Sequence, residues 1–145
     1  MYKNILIATD GSELSERAER HGIALAKAVG AKVTGITVTV PFDAYMTSEV
    51  AIALDGTIFE ERTARLAKQR LDAVSAIAKA EGVECVTMRV QADPIYAGIV
   101  DTAEKQRCDL IVMASHGRRG MAGLILGSET TKVLTHSTIP VLVCR

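Results

Sequence analysis

The chain has no tryptophan, and three tyrosines and two phenylalanines bring its aromatic content to only 3% of 145 residues. Single-stranded nucleic acid is gripped on stacked aromatic rings, so that scarcity disfavours RNA as a partner. An excess of one charge is also missing, since 17 Lys plus Arg balance 17 Asp plus Glu. No overall field draws the chain to nucleic acid or an acidic membrane, and any anion site must be local. Cys85, Cys108 and Cys144 are odd in number and too far apart for CxxC chemistry, which predicts buried reduced thiols rather than a disulfide framework or a zinc site. The longest uncharged run, Val133 to Cys144, includes Thr, His, Ser and Pro and falls short of the roughly 20 apolar residues of a membrane span. The N-terminal stretch turns polar by Thr9 and has no small-residue cleavage site, so a cytoplasmic location is expected. Motifs of P-loop NTPases, dinucleotide folds, serine hydrolases and HExxH metalloenzymes are absent from the sequence.

What is present is a 48% hydrophobic chain of single-domain length, enough to bury one core across residues 1–145. Ile5 to Ala8 is a continuous apolar run ended by Asp10-Gly11-Ser12, the pattern of a strand covered on both faces. Leu14, Ala18, His21, Leu25 and Ala28 recur at steps of four and three, predicting a helix capped by Ser12, closed by Gly30, with His21 as a core histidine. Lys32 to Val40 reads as a second strand, broken by Pro41. Residues 41–57 show no period and are expected to form a variable flap.

Phe59, Thr63, Leu66, Ala67, Leu71, Val74 and Ala78 then mark a long helix ended by Gly82. Val86, Met88 and Val90 alternate with Thr87 and Arg89, which predicts a half-exposed strand near a sheet edge. Asp93-Pro94 predicts an N-cap followed by proline at the first position of a helix running to about Arg107. Leu110 to Met113 is a second buried-strand run, Ser128 is expected to cap a last helix, and Val141 to Cys144 follows Pro140 as a final strand. This alternation of strand and helix predicts an α/β, doubly wound, five-stranded parallel sheet with helices on both faces.

Ligands of such sheets bind beyond the C-terminal strand ends. The segment Ala114 to Thr130 carries Gly117, Gly120, Gly123 and Gly127 just before a helix start. Glycines let backbone amides approach an anion, and a helix N-terminus adds aimed donors, so a neutral protein can hold phosphate this way. Arg118 and Arg119 stand where a guanidinium can reach an outer phosphate, and an ordinary glycine-rich turn is the competing reading. His116 is expected to fix this loop, and His136 to complement a helix C-terminus.

Four stretches carry a resemblance: Thr9-Asp10-Gly11-Ser12, Asp109 to Gly117, Leu126-Gly127-Ser128, and Ile139 to Val143. Over its whole length the chain resembles the universal stress protein family, whose ATP-binding branch carries Gly, two residues, Gly, nine residues, Gly and then Ser or Thr. Gly117, residues 118–126, Gly127 and Ser128 match that signature, and Ala114 replaces its first glycine. The Ala114 methyl is expected either to crowd the ribose or phosphates or to hold φ in the range alanine tolerates, alanine being the mildest replacement. The resemblance implies a Rossmann-like sheet in the order 3-2-1-4-5 and bound ATP with Mg. It implies that Ala8 and Asp10 border the nucleotide, with Asp10 near the ribose or a phosphate-bound Mg. Val38 would offer backbone to the adenine, and Met113 and Ala114 would pass beneath the sugar. Gly117, Gly127, Ser128, Glu129 and Thr130 would line the phosphates. For Asp10 a turn or capping role before the first helix stands as the alternative. The implied function is an ATP-binding signalling or stress-protection module, forming a homodimer through Ile139 to Cys144. A nucleotide-free dimerisation module and a slow ATPase are the alternatives.

Overall fold

A computed structural model describes residues 1–45, 55–117 and 125–145. Most of the expected flap, and Arg118 and Arg119, lie outside the described residues. In chain order the elements are β1 (Asn4–Ala8), α1 (Glu13–Val29), β2 (Lys32–Thr39), a 3-10 turn (Phe42–Tyr45), α2 (Gly56–Glu81), β3 (Cys85–Gln91), α3 (Ile95–Lys105), β4 (Leu110–Ala114), α4 (Ser128–His136) and β5 (Val141–Cys144). The five strands form one sheet in the order β3-β2-β1-β4-β5, parallel at every pairing.

The apolar runs of β1 and β4 become central strands because both of their faces are covered. Ile5, Ile7, Val33, Leu110, Val112 and Ala114 face one core layer with Ala18, Ile23 and Ala26 of α1 and Val74 and Ala78 of α2. Leu6, Ile36, Ile111 and Met113 face the other, with Ile99, Val100 and Ala103 of α3 and Val133 of α4. Each such large aliphatic contributes roughly 1.5–3 kcal/mol by leaving water, so this alternation fixes the register of the sheet. The alternating pattern of β3 places it at one edge, with Val86 half exposed, and β5 forms the other edge.

Several local expectations need correction. The buried face of α1 is Ser15, Ala18, Glu19, Gly22, Ile23 and Ala26, so His21 and Ala28 are exposed rather than core. The reason is close approach: a Cβ on Gly22 would stand 2.8 Å from Cδ1 of Ile7, so the helix meets the sheet through small residues that hydrophobic periodicity does not register. In α2, Leu66 is exposed while Ala67, Leu71, Val74 and Ala78 are buried. That helix begins at Gly56, inside the expected flap, with Asp55 accepting from the Thr57 amide at 2.8 Å. Pro94 is the N-cap of α3 rather than its first residue, and Asp93 does not cap it. Gly127, not Ser128, is the N-cap of α4. Of the three thiols only Cys108 is buried, Cys85 and Cys144 being half-buried, and desolvation pushes all three up.

Candidate functional site

The chain leaves β1 for α1 on one face of the sheet and leaves β4 for α4 on the other. Their connections diverge and open a crevice beyond the C-terminal ends of these neighbouring strands. Three walls surround it: the turn after β1, the segment after β4, and the C-terminal end of β2.

The turn after β1 is held by its own side chains. The Thr9 amide continues the sheet ladder to the carbonyl of Ile36 at 2.9 Å. Beyond it, Oδ1 of Asp10 accepts from the Ser12 amide at 3.0 Å, and Oγ of Ser12 accepts from the Ser15 amide at 3.2 Å, capping α1. The turn alternative for Asp10 is therefore part of the structure, made through Oδ1. Its Oδ2 lies against Gly117, where an added Cβ would stand 2.7 Å away. Asp10 thus bridges from the β1 turn to the β4 segment, and the bare Cα of Gly117 is what admits it.

The segment after β4 is held by its backbone. Ser115 donates to the carbonyl of Cys144 at 2.7 Å, and the Gly127 amide returns to the Ser115 carbonyl at 2.7 Å. A Cβ on Gly127 would stand 3.2 Å from that carbonyl and 3.4 Å from Cα of His116, so this glycine serves the closure of the loop. His116 Nδ1 lies 2.9 Å from Oγ of Ser115, consistent with a loop-fixing role. The helix ladder of α4 begins when Thr131 donates to Gly127 at 3.0 Å. Gly127 has no side chain with which to cap, so the amides of Ser128, Glu129 and Thr130 form an uncapped helix start.

The side chains of that first turn are committed elsewhere. The buried Thr130 hydroxyl donates to the Ala114 carbonyl at 2.9 Å, tying the helix start to the end of β4. Oε2 of Glu129 accepts from the Tyr96 amide at 2.9 Å, supplying α3 with the cap that Pro94 lacks. Lys132 lies 3.6 Å from the other oxygen. Both residues therefore present amides, not hydroxyl or carboxylate, to the crevice.

Ala8, Val38 and Met113 come together on the α3 and α4 side of the sheet. The Val38 peptide faces the β1 side, because Ile36 does and peptide directions alternate along a parallel strand. The β1–β2 register ends at Ala8 and Ile36, so Val38 stands one step past the last rung. Ala114 packs instead into the opposite core layer and is only 8% exposed. Its methyl occupies core beside α1.

Sequence reasoning missed a buried polar group behind the turn. Thr9 donates its hydroxyl to Oε1 of Glu19 and accepts from Oγ of Ser15 at 2.8 Å and from the Gly11 amide at 3.1 Å. The Asp10 amide in turn donates to Oγ of Ser15 at 3.2 Å. Glu19 is 2% exposed, and burial pushes its carboxyl up, against the lowering effect of the Thr9 bond. Its sequence signal was a second stripe, Ser15, Ala18, Glu19, Gly22, Ile23 and Ala26, at the same helical period as the one read from hydrophobicity.

The sequence model of the universal stress protein family matches residues 1–145. A universal stress protein of Methanocaldococcus jannaschii, MJ0531, is 34% identical over all of this chain and 83% of its own length. The chain belongs to the universal stress protein family. Among solved structures, the hypothetical protein MJ0577 superposes with a TM-score of 0.77 at 29% identity, covering 99% of this chain and 96% of that one. A universal stress protein in complex with cAMP superposes with a TM-score of 0.69 at 26% identity, covering 98% and 95%. The order β3-β2-β1-β4-β5 is the family architecture, and this universal stress protein keeps it with helices on both faces. Among its described residues no helix is long and apolar enough to cross a membrane.

Proposed function

We propose that this universal stress protein binds ATP with Mg in the crevice between β1 and β4 and acts as a nucleotide-dependent signalling or stress-protection module. The observation that carries the reading is the uncapped start of α4, whose three amides lie beside two glycines at the mouth of the crevice. Such a start carries roughly half a positive charge and unspent donors, which suits a phosphate chain in a protein of zero net charge. The cAMP complex of a relative supports a nucleotide as the ligand class.

Ser128, Glu129 and Thr130 hold the phosphates through backbone, with Gly117 and Gly127 leaving room for them. Ala8 and Met113 supply apolar floor, and the Val38 peptide, past the last β1–β2 rung, offers donor and acceptor to the base. Asp10, set against Gly117 at the crevice, suits a ribose hydroxyl or a share in Mg, a cation that takes one or two carboxylates beside phosphates. When bound, Mg offsets phosphate charge. Glu129 is committed to Tyr96, and no described side chain stands as a dedicated general base, so any hydrolysis is slow.

A thermal melt with and without Mg and ATP tests the reading. Ligand at 100 times its Kd adds about 2.7 kcal/mol, a shift of several degrees at this size. No shift at millimolar ATP overturns it in favour of a nucleotide-free dimerisation module. Phosphate release followed over hours then separates a passive binder from an ATPase. The edge strand β5 carries no charged residue and its backbone is open on one side, so a second copy pairs there through Ile139 to Cys144. Light scattering at micromolar concentration tests this homodimer, and a monomer overturns it.

A further inference from the structure

We infer that Glu19 is a positioning residue for the crevice: through Thr9 and Ser15 it sets the turn that points Asp10 at Gly117. The inference rests on the nucleotide-binding reading for its consequence, but its structural basis is separate. Four features support it. Glu19 lies on the α1 side of the sheet, 2% exposed, and it does not line the crevice. Its partner Thr9 is the first residue past β1, so the bond couples helix to turn.

Every hydrogen-bonding capacity in the chain is used in one direction. Because the Thr9 proton is given to Glu19, the Thr9 oxygen must accept, and it does so from Ser15 and from the Gly11 amide. Because the Ser15 proton is given to Thr9, the Ser15 oxygen accepts from the Asp10 amide. The acceptor at Glu19 therefore orients two hydroxyls and two successive turn amides, those on either side of the Asp10 Cα. A buried carboxylic group is costly and is retained only where its bonds set a geometry. Here the geometry set is that of the one carboxylate facing Gly117. A cavity of about 280 Å³ between α1 and α2 is lined by both Glu19 and the Gly11-Ser12 turn.

The test compares Glu19→Leu, which removes the acceptor, with Glu19→Gln, whose amide oxygen keeps it. Amide hydrogen exchange by NMR is read at Asp10 and Gly11, with the core amides of β4 as reference. Affinity for Mg and ATP is read by calorimetry, with Asp10→Ala as the benchmark. Glu19→Leu is expected to speed exchange at Asp10 and Gly11 at least tenfold while β4 stays protected, and to weaken ATP at least tenfold. Glu19→Gln is expected to restore both to within about twofold. Unchanged exchange at Asp10 and Gly11 in Glu19→Leu overturns the inference, as does wild-type affinity in that variant. If the wild-type chain binds no ATP, the nucleotide reading alone fails, and the exchange experiment still decides whether Glu19 sets the turn. A purely packing role is revealed if Glu19→Gln fails to rescue, which also overturns it.

Discussion

The turn after β1 and the segment after β4 meet across one crevice, yet they prepare their helices in opposite ways. Ser12 caps α1 with its hydroxyl, and behind it Thr9, Ser15 and Glu19 use up the polar capacity of the turn. Gly127 gives α4 no side-chain cap, and Thr130 and Glu129 turn their side chains to Ala114 and Tyr96. One side of the crevice is therefore self-satisfied and rigid, and it presents a single carboxylate. On the other, among the described residues, no side chain caps the first-turn amides of α4. A chain of zero net charge thus finishes one helix start with side chains and leaves the other without a side-chain cap.

Substitutions that blur this contrast have a definite order of size. The largest effect is expected for Gly127→Val, whose Cβ meets the Ser115 carbonyl at 3.2 Å and Cα of His116 at 3.4 Å, so its branch forces apart the loop that leads into α4. The ATP-induced stabilisation of about 2.7 kcal/mol should vanish in a melt, accompanied by a lower midpoint without ligand. Thr130→Val keeps the shape but leaves the buried Ala114 carbonyl without its hydroxyl. That should cost about 1–3 kcal/mol in denaturant unfolding and loosen α4 from β4. Ser12→Ala removes the α1 cap at a cost of about 1 kcal/mol, and ATP affinity measured by calorimetry should move far less than stability.

The smallest effect is a slope. Burial holds the Glu19 carboxyl above 4.5; the Thr9 bond and Arg20 pull it down, while Glu16 and Asp10 push it up. The folded chain thus binds this proton more tightly than the unfolded one. Its contribution to stability is complete below pH 4.5 and is lost as pH rises through the folded value. Glu19→Gln should flatten that decline in urea titrations between pH 4.5 and neutrality, and an unchanged slope would show that Glu19 is not the group responsible.

The difference between the two sides also decided what could be read from residues alone. Leu110 to Met113 and Ile5 to Ala8 announce central strands because each position faces a covered surface, and Val86, Met88 and Val90 announce an edge because alternate positions do not. The glycines before α4 suggest an anion site because glycine changes what the backbone itself can do. Helix phase was not legible in α1. Its inner face is built from Ser15, Glu19 and Gly22, so a stripe drawn through hydrophobic residues rotated His21 inward by mistake. The roles of Thr130 and Glu129 were hidden for a related reason: a residue type states what bonds are possible, and only the packing of α4 on β4 and α3 states which are made.

Glu129 joins the first turn of α4 to the first turn of α3 through the Tyr96 amide, and Tyr96 stacks on His136 at the far end of α4, ring centroids 4.6 Å apart. Two residues further along α3, Gly98 lies so close to Val38 that an added Cβ would stand 3.1 Å from its Cγ1. A single short helix is thereby a strut between opposite ends of the crevice. The start of α4 and the wall at Val38 thus both rest on α3, one through the Glu129–Tyr96 bond and the other through the close approach of Gly98.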